Sequence, residues 1–235
     1  VLSDIHYDRA PCDDGAQGCL KGRALLTEAV HYLNACIAPD LVLVLGDLVE
    51  AGDTEAGLEC LRELRPALDL LAAPVLAVPG NHDPAPEVFY SVLDAPPAWL
   101  DAGGVRLVPF VDPEAPEFNA HRPVASLDRF AEARAGFEGA LVSVQHVPLF
   151  APGACDCPYN YTNAEEILRV MNACGAGYAI SGHYHRGMEV LHANGLVSLV
   201  TPALCRAPFR FLEVRFSDGA IAVQGHALPP FHDAP

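Results

Sequence analysis

Basic residues are scarce in this chain. Its 235 residues hold 14 Lys and Arg against 30 Asp and Glu, a formal net charge of −16. A surface built to grip extended nucleic acid is therefore excluded, because phosphates would meet repulsion at long range. Long apolar runs are missing too. Stretches such as Leu41 to Leu45 fall far short of the ~20 residues that cross a bilayer, so no membrane partner is expected. With 51% hydrophobic and 19% charged residues, the chain has neither the polarity of a disordered protein nor the charge density of a coiled coil. It has no fixed-period repeat, low-complexity tract, charge block or linker on which to divide it, so residues 1–235 are read as one domain. No signal peptide is recognisable, and the cytoplasm is the expected compartment. A secreted or periplasmic origin stays open because the chain starts at Val1 and not Met.

Eight cysteines do not make a disulfide-stapled scaffold of a chain this long. Cys36, Cys60 and Cys174 fall in helix-like patterns and are expected to be small buried hydrophobes. Cys12, Cys19, Cys155, Cys157 and Cys205 fall in loop-like sequence, where one or two disulfides could brace a rim.

What recurs is a short apolar run, then polar punctuation, then a segment of helical period. Leu41 to Leu45 ends at Gly46-Asp47, Val75 to Val78 ends at Pro79-Gly80-Asn81-His82-Asp83, and Leu141 to Gln145 ends at His146. These are buried strands closing in loops. Leu25, Leu26, Ala29, Val30, Leu33, Cys36 and Ile37 share one helical face, as do Leu58, Leu61, Leu64, Leu68 and Leu71, where Pro66 is expected to kink or split the helix. Asn163 with Glu166 three residues on signals the start of a third helix by a capping box. After Met188, four short strands are expected over 189–192, 196–200, 209–216 and 220–225, with Asn194-Gly195 and Asp218-Gly219 as hairpin turns. The fold class that follows is α/β, two packed sheets with helices outside.

The residues that follow the apolar runs are Asp4-Ile5-His6, Gly46-Asp47, Asn81-His82-Asp83, His146 and His183-Tyr184-His185. Taken singly, Asp4-x-His6 reads as a loop cap, Gly46-Asp47 as a strand-to-turn dipeptide, and His146 as a hydrogen-bonded core histidine. Together they offer carboxylates, an amide oxygen and imidazoles at strand ends that can converge on one sheet edge. Such donors suit Mn, Fe or Zn, and the lack of cysteine among them argues against a closed thiolate zinc site. His31, His121, His192, His226 and His232 lack this context and are read as structural.

In order along the chain, these motifs resemble the signature of the calcineurin-like metallophosphoesterase family, over nearly the whole sequence. The resemblance implies a β sandwich of two sheets flanked by helices, with two metal ions at one sheet edge. One ion would sit on Asp4, His6, Asp47 and His185, the second on Asp47, Asn81, His146 and His183, with Asp47 bridging. Two ions ~3.5–4 Å apart would share a hydroxide and grip one phosphoryl group. His82 would face the leaving oxygen as general acid, oriented by Asp83. The sequence departs from the family's protein phosphatases, which carry an arginine before the last glycine of Gly46-Asp-Leu-Val-Glu-Ala-Gly52, and from its purple acid phosphatases, which place tyrosine where Glu50 stands. It also departs from its lipid A precursor pyrophosphatases, which have arginine at His82. The motif forms are most similar to those of single-domain cyclic-nucleotide phosphodiesterases. The expected activity is thus hydrolysis of small phosphodiesters. A phosphomonoesterase or pyrophosphatase is the alternative on the same site, and a non-catalytic, metal-stabilised scaffold is the alternative from another class. The Pro-rich stretch 84–122 is expected to form a lid or a homodimer contact near His82, and 150–161 a second rim loop.

Overall fold

The computed structural model describes residues 1–9, 18–217 and 220–229. Cys12, the Asp218-Gly219 turn and His232 lie outside them. The apolar runs form short parallel strands: β1 (Val42–Val44), wholly buried, pairs in parallel with β2 (Val75–Ala77). Leu2 bridges Val44 in parallel, and Val1 and Leu212 exchange backbone hydrogen bonds. One layer therefore runs from β2 through β1 and the N-terminal segment to the antiparallel hairpin of β11 (Arg210–Ser217) and β12 (Ala220–Ala227).

The second layer is a six-stranded sheet. Its order is β3 (Leu100–Ala102), β4 (Val105–Pro109), β7 (Ala140–Val144), β8 (Tyr178–Ser181), β10 (Leu196–Val200) and β9 (Leu191–Ala193). β4, β7, β8 and β10 are parallel, and the two edge strands are antiparallel. Leu43, Leu45 and Leu76 of the first layer pack on Leu107, Val144 and Ile180 of the second. Burying each such side chain is worth ~1.5–3 kcal/mol, which is what holds the layers face to face. Outside them, α1 (Gly18–Tyr32), α2 (Glu55–Leu68) and α3 (Pro86–Val92) cover one face, and α4 (Val124–Arg134) and α5 (Ala164–Ala173) the other. Among the described residues no helix is long and apolar enough to cross a membrane.

Several local expectations are corrected. Pro66 does not split α2: it sits in the last turn, two residues before the end, where little helix remains to be broken. Asn163 does not cap α5 by its side chain, which instead accepts from Arg122 N and donates to Arg122 O. Cys36 is exposed because α1 gives way to a wider π turn over Leu33–Ile37, which rotates the face. Cys155, Cys157 and Cys205 are free thiols, so no brace forms among them; burial pushes the Cys205 thiol up to about 12. Residues 84–122 are less irregular than expected, since α3, β3 and β4 belong to the body of the fold. Only the small hairpin of β5 (Glu114–Ala115) and β6 (Asn119–Ala120) brings that stretch to the crevice described below.

Candidate metal centre

Because β1, β2, β7 and β8 end in the same sense as the N-terminal segment, their terminal loops meet at one edge. Asp4, His6, Asp47 and His185 form one cluster, and Asp47, His146 and His183 a second, with donor atoms in each within 4.8 Å of one another. In the first, His6 Nε2 lies 3.0 Å from His185 Nε2 and 3.5 Å from Asp47 Oδ2, and His185 Nε2 lies 3.4 Å from Asp4 Oδ1. In the second, His146 Nε2 lies 3.2 Å from Asp47 Oδ2, 3.2 Å from Asn81 Oδ1 and 3.1 Å from His183 Nδ1. All seven expected ligands are thus brought together, and a single oxygen, Asp47 Oδ2, faces both clusters.

The donor set fits metal ions. Metal–nitrogen bonds of about 2.0–2.1 Å hold neighbouring donors about 3 Å apart, the spacing seen here. Backbone and carboxylate partners aim the rings: His146 Nδ1 donates to Leu45 O at 2.6 Å and His6 Nδ1 to Glu50 Oε2 at 2.7 Å, leaving each Nε2 for the cluster. Asp4 is aimed likewise, its Oδ2 accepting from His183 N at 3.0 Å while Oδ1 is buried with no hydrogen-bond partner. Orphaned polar atoms of this kind are rare in protein interiors and point to a missing ligand.

The backbone is strained at the same place. Asp4, His6, Asp47 and His183 have φ of 55, 46, 51 and 66°, the left-handed region that residues with a side chain seldom enter and that gathers at functional sites. Gly80 is required by close approach, since a Cβ there would overlap Asp47 Oδ1.

Electrostatics follow from this crowding. For Asp47, burial raises the pKa but is overruled by His146 and His6, leaving about 2. Asp4 is held well below the carboxylate range in the same way, by His185 and His6 against burial. Burial opposes charge on His6 and His146, yet Asp4 and Glu50 carry His6 up to about 10 and Asp47 carries His146 up to about 9. Burial and the charge of His146 push His183 down to about 4.

His82 stands at the mouth. Its backbone N–H donates to Asp47 Oδ1 at 2.9 Å, and its Nδ1 donates to Glu50 O at 2.9 Å, so Nε2 is the ring's free nitrogen. The expectation that Asp83 orients this ring is corrected. Buried Asp83 accepts instead from Leu48 N, Val49 N and Gly80 N, tying the β1 loop to the β2 loop. Burial and the charge of Asp47 push its carboxyl up to about 7. The residue that serves both His6 and His82 is Glu50, whose role sequence reasoning missed; the signal available was a carboxylate three residues after Asp47.

The clusters floor a cavity of about 580 Å³ walled by His82, Phe118, Tyr159, Tyr184, Arg186 and Arg206. Both arginines escaped the sequence analysis, because neither lies in a recognisable motif. Arg206 Nε donates to His185 Nδ1 at 3.0 Å.

Comparison with known proteins agrees with this geometry. The model of the calcineurin-like phosphoesterase family matches residues 1–187. The chain is similar to a protein of Xenorhabdus bovienii (strain SS-2004) named a probable cyclic nucleotide phosphodiesterase, with 25% identity over 187 residues, covering 75% of this chain and 73% of the relative. Among solved structures, a dimetal phosphatase from Danio rerio superposes with a TM-score of 0.79 at 15% identity, over 97% of this chain and 95% of that one. A purple acid phosphatase from seeds of yellow lupin (Lupinus luteus) gives a TM-score of 0.54 at 14% identity, over 78% of this chain and 37% of that one. At such identities the likeness is one of fold, and it is the two-sheet α/β fold expected from the sequence.

Proposed function

Since the chain belongs to the calcineurin-like phosphoesterase family, we propose that residues 1–235 act as one catalytic domain that hydrolyses small phosphodiesters at the Asp47 centre. The observation that carries this reading is the shared oxygen: Asp47 Oδ2 lies 3.5 Å from His6 Nε2 and 3.2 Å from His146 Nε2. Asp4, His6, Asp47 and His185 would hold one ion, and Asp47, Asn81, His146 and His183 the other. Nitrogen and oxygen donors without thiolate favour Mn, Fe or Zn. When bound, the pair supplies Lewis-acid charge against the phosphoryl oxygens and lowers the pKa of water into the neutral range.

The remaining steps belong to the chain's own side chains. Glu50 holds His6 by Nδ1 and, through its carbonyl, holds His82 by Nδ1. With Nδ1 donating to Glu50 O, His82 would act from Nε2 in its doubly protonated, imidazolium form, passing that proton to the leaving oxygen as water attacks phosphorus from the opposite side and the P–O bond breaks. The products are a phosphomonoester and an alcohol. Asp83 acts as a positioning residue, keeping the Leu48–Val49 and Gly80 backbones, and with them Asp47 and His82, in register.

The diester preference draws support from the Xenorhabdus relative, named a probable cyclic nucleotide phosphodiesterase, and from the absence of the motif residues that mark the family's other branches. Arg186 and Arg206 at the cavity wall favour a second reading, a monoester or pyrophosphate whose extra charge they would meet. The test is hydrolysis of bis(p-nitrophenyl) phosphate against p-nitrophenyl phosphate by protein supplied with Mn²⁺, with metal counted by plasma emission. Faster diester turnover and close to two ions per chain are expected; a faster monoester overturns the substrate assignment. His82→Ala should lower turnover of an alkyl or ribose diester by on the order of 10²–10⁴-fold and leave nitrophenyl esters far less affected, because nitrophenolate departs without a proton. Equal losses on both would remove His82 from the general-acid role.

A further inference from the structure

Phe118 is a large apolar side chain left 55% exposed, and it stands at the metal centre. A second cavity of about 530 Å³ lies beside the first, lined by His146, Val147, Phe110, Val111 and Tyr161 among others. Among the described residues, Asn81 and Phe118 alone line both cavities. Asn81 is a proposed ligand, so Phe118 is the partition between the two spaces flanking the reacting phosphorus.

An exposed aromatic ring on a loose loop would mean little, but this one is held. Glu117 and Phe118 have φ of 63 and 60°, a conformation that side-chain-bearing residues keep only where the surroundings impose it. Those surroundings are present: Asn119 Nδ2 donates to Pro116 O at 2.9 Å, Asn160 N donates to Asn119 Oδ1 at 2.9 Å, and Ala120 N donates to Asn160 O at 3.1 Å. Glu114 and Ala120 pair across the base of the hairpin, and just beyond it buried Arg122 is locked to Asp112 at 2.8 Å. The first cavity carries two further aromatic rings, Tyr159 and Tyr184, the former edge-on to His183 at 4.5 Å between ring centroids. Strain, anchoring and exposure coincide at the point where a substrate arm must pass.

We infer that Phe118 is a fixed stacking platform that makes the site selective for phosphate esters with a planar aromatic group near the phosphorus. This rests on the phosphoesterase reading above and narrows its substrates to ring-bearing ones. A flat ring laid on Phe118 takes the facing surfaces of both rings out of water and meets a surface that needs no ordering on binding, which is where stacking gains most. Phe118 is a specificity residue only; it donates no proton and holds no ion.

Calorimetric titration of the full chain saturated with Mn²⁺ tests this, using phenylphosphonate and methylphosphonate, whose C–P bonds resist hydrolysis. The wild-type protein should bind phenylphosphonate about tenfold more tightly than methylphosphonate. Phe118→Ala should erase that ratio while leaving methylphosphonate affinity unchanged, and Phe118→Tyr should keep it. An undiminished ratio in Phe118→Ala overturns the platform, as does an equal weakening of both ligands, which would mark Phe118 as a support of the metal centre. Turnover separates the two readings. A Phe118-dependent ratio in a protein that hydrolyses no ester upholds the platform and overturns the hydrolase; ester hydrolysis with no ratio does the reverse.

Discussion

Asp47 is the residue on which the proposed centre depends most, because its Oδ2 is the one donor facing both clusters. Asp47→Asn is expected to strip both ions, leaving metal content near background where loss of Asn81 alone would spare the other cluster. Plasma emission after dialysis reads this directly, and retention of both ions by the variant would refute the bridging role. Glu50→Gln should weaken metal binding or activity by about 10–100-fold, the usual cost of losing the group that orients a ligating histidine. Arg206 acts in the opposite direction. By donating to His185 Nδ1 it leaves that ring's own proton on Nε2, pointing at His6 Nε2 3.0 Å away. For Nε2 to offer a lone pair, the proton must move to Nδ1, where it meets the Arg206 donor. Arg206→Ala should therefore tighten Mn²⁺ binding at this cluster, and a calorimetric titration showing weaker binding would sink the argument.

At the scale of elements, the strands that carry the centre were legible and their supports were not. β1, β2, β7 and β8 are short apolar runs bounded by Gly, Pro or His, a signature that sequence shows directly. The proposed ligands follow these strands, so the strand ends pointed to the cluster that the fold brings together. Phe118 and Arg206 reach the crevice by tertiary packing, which no local period records. The same holds for Arg122, which falls at the end of a stretch read as irregular yet is wholly buried. Its guanidinium donates to Asp112 Oδ2 and to Ser143 Oγ and lies 3.6 Å over the Phe110 ring. The ion pair closes the base of the hairpin bearing Phe118, and the bond to Ser143 Oγ ties it to β7, the strand that leads to His146. Arg122→Ala leaves Asp112 buried without its cation, with only Tyr161 Oη still donating to Oδ2 among the bonds seen here, and should cost about 3–5 kcal/mol of folding stability in urea denaturation. Arg122→Met combined with Asp112→Leu should recover most of that loss, since the uncompensated charge disappears. A cost below ~1 kcal/mol for Arg122→Ala would show that the clamp contributes little.

For the molecule as a whole, charge sets the conditions under which the centre is reached. The chain carries −16, so an anionic ester approaches against a repulsive field until it comes within range of Arg186 and Arg206. Bound ions would offset only part of that deficit. At low ionic strength the Debye length is ~30 Å, and the whole surface is felt; at 0.15 M it falls to ~8 Å, and the local cations dominate. The expected result is that kcat/KM rises as salt increases from about 0.01 to 0.15 M, the reverse of an enzyme that steers its substrate by opposite charge. The rise should be steeper for the dianionic p-nitrophenyl phosphate than for the monoanionic bis(p-nitrophenyl) phosphate, because the repulsion scales with substrate charge. Meanwhile kcat should change little, since salt acts on encounter and not on the enclosed chemistry. A kcat/KM that falls with salt would mean that the arginines and bound ions govern approach even at long range, and that net charge is a poor guide to how this site meets its substrate.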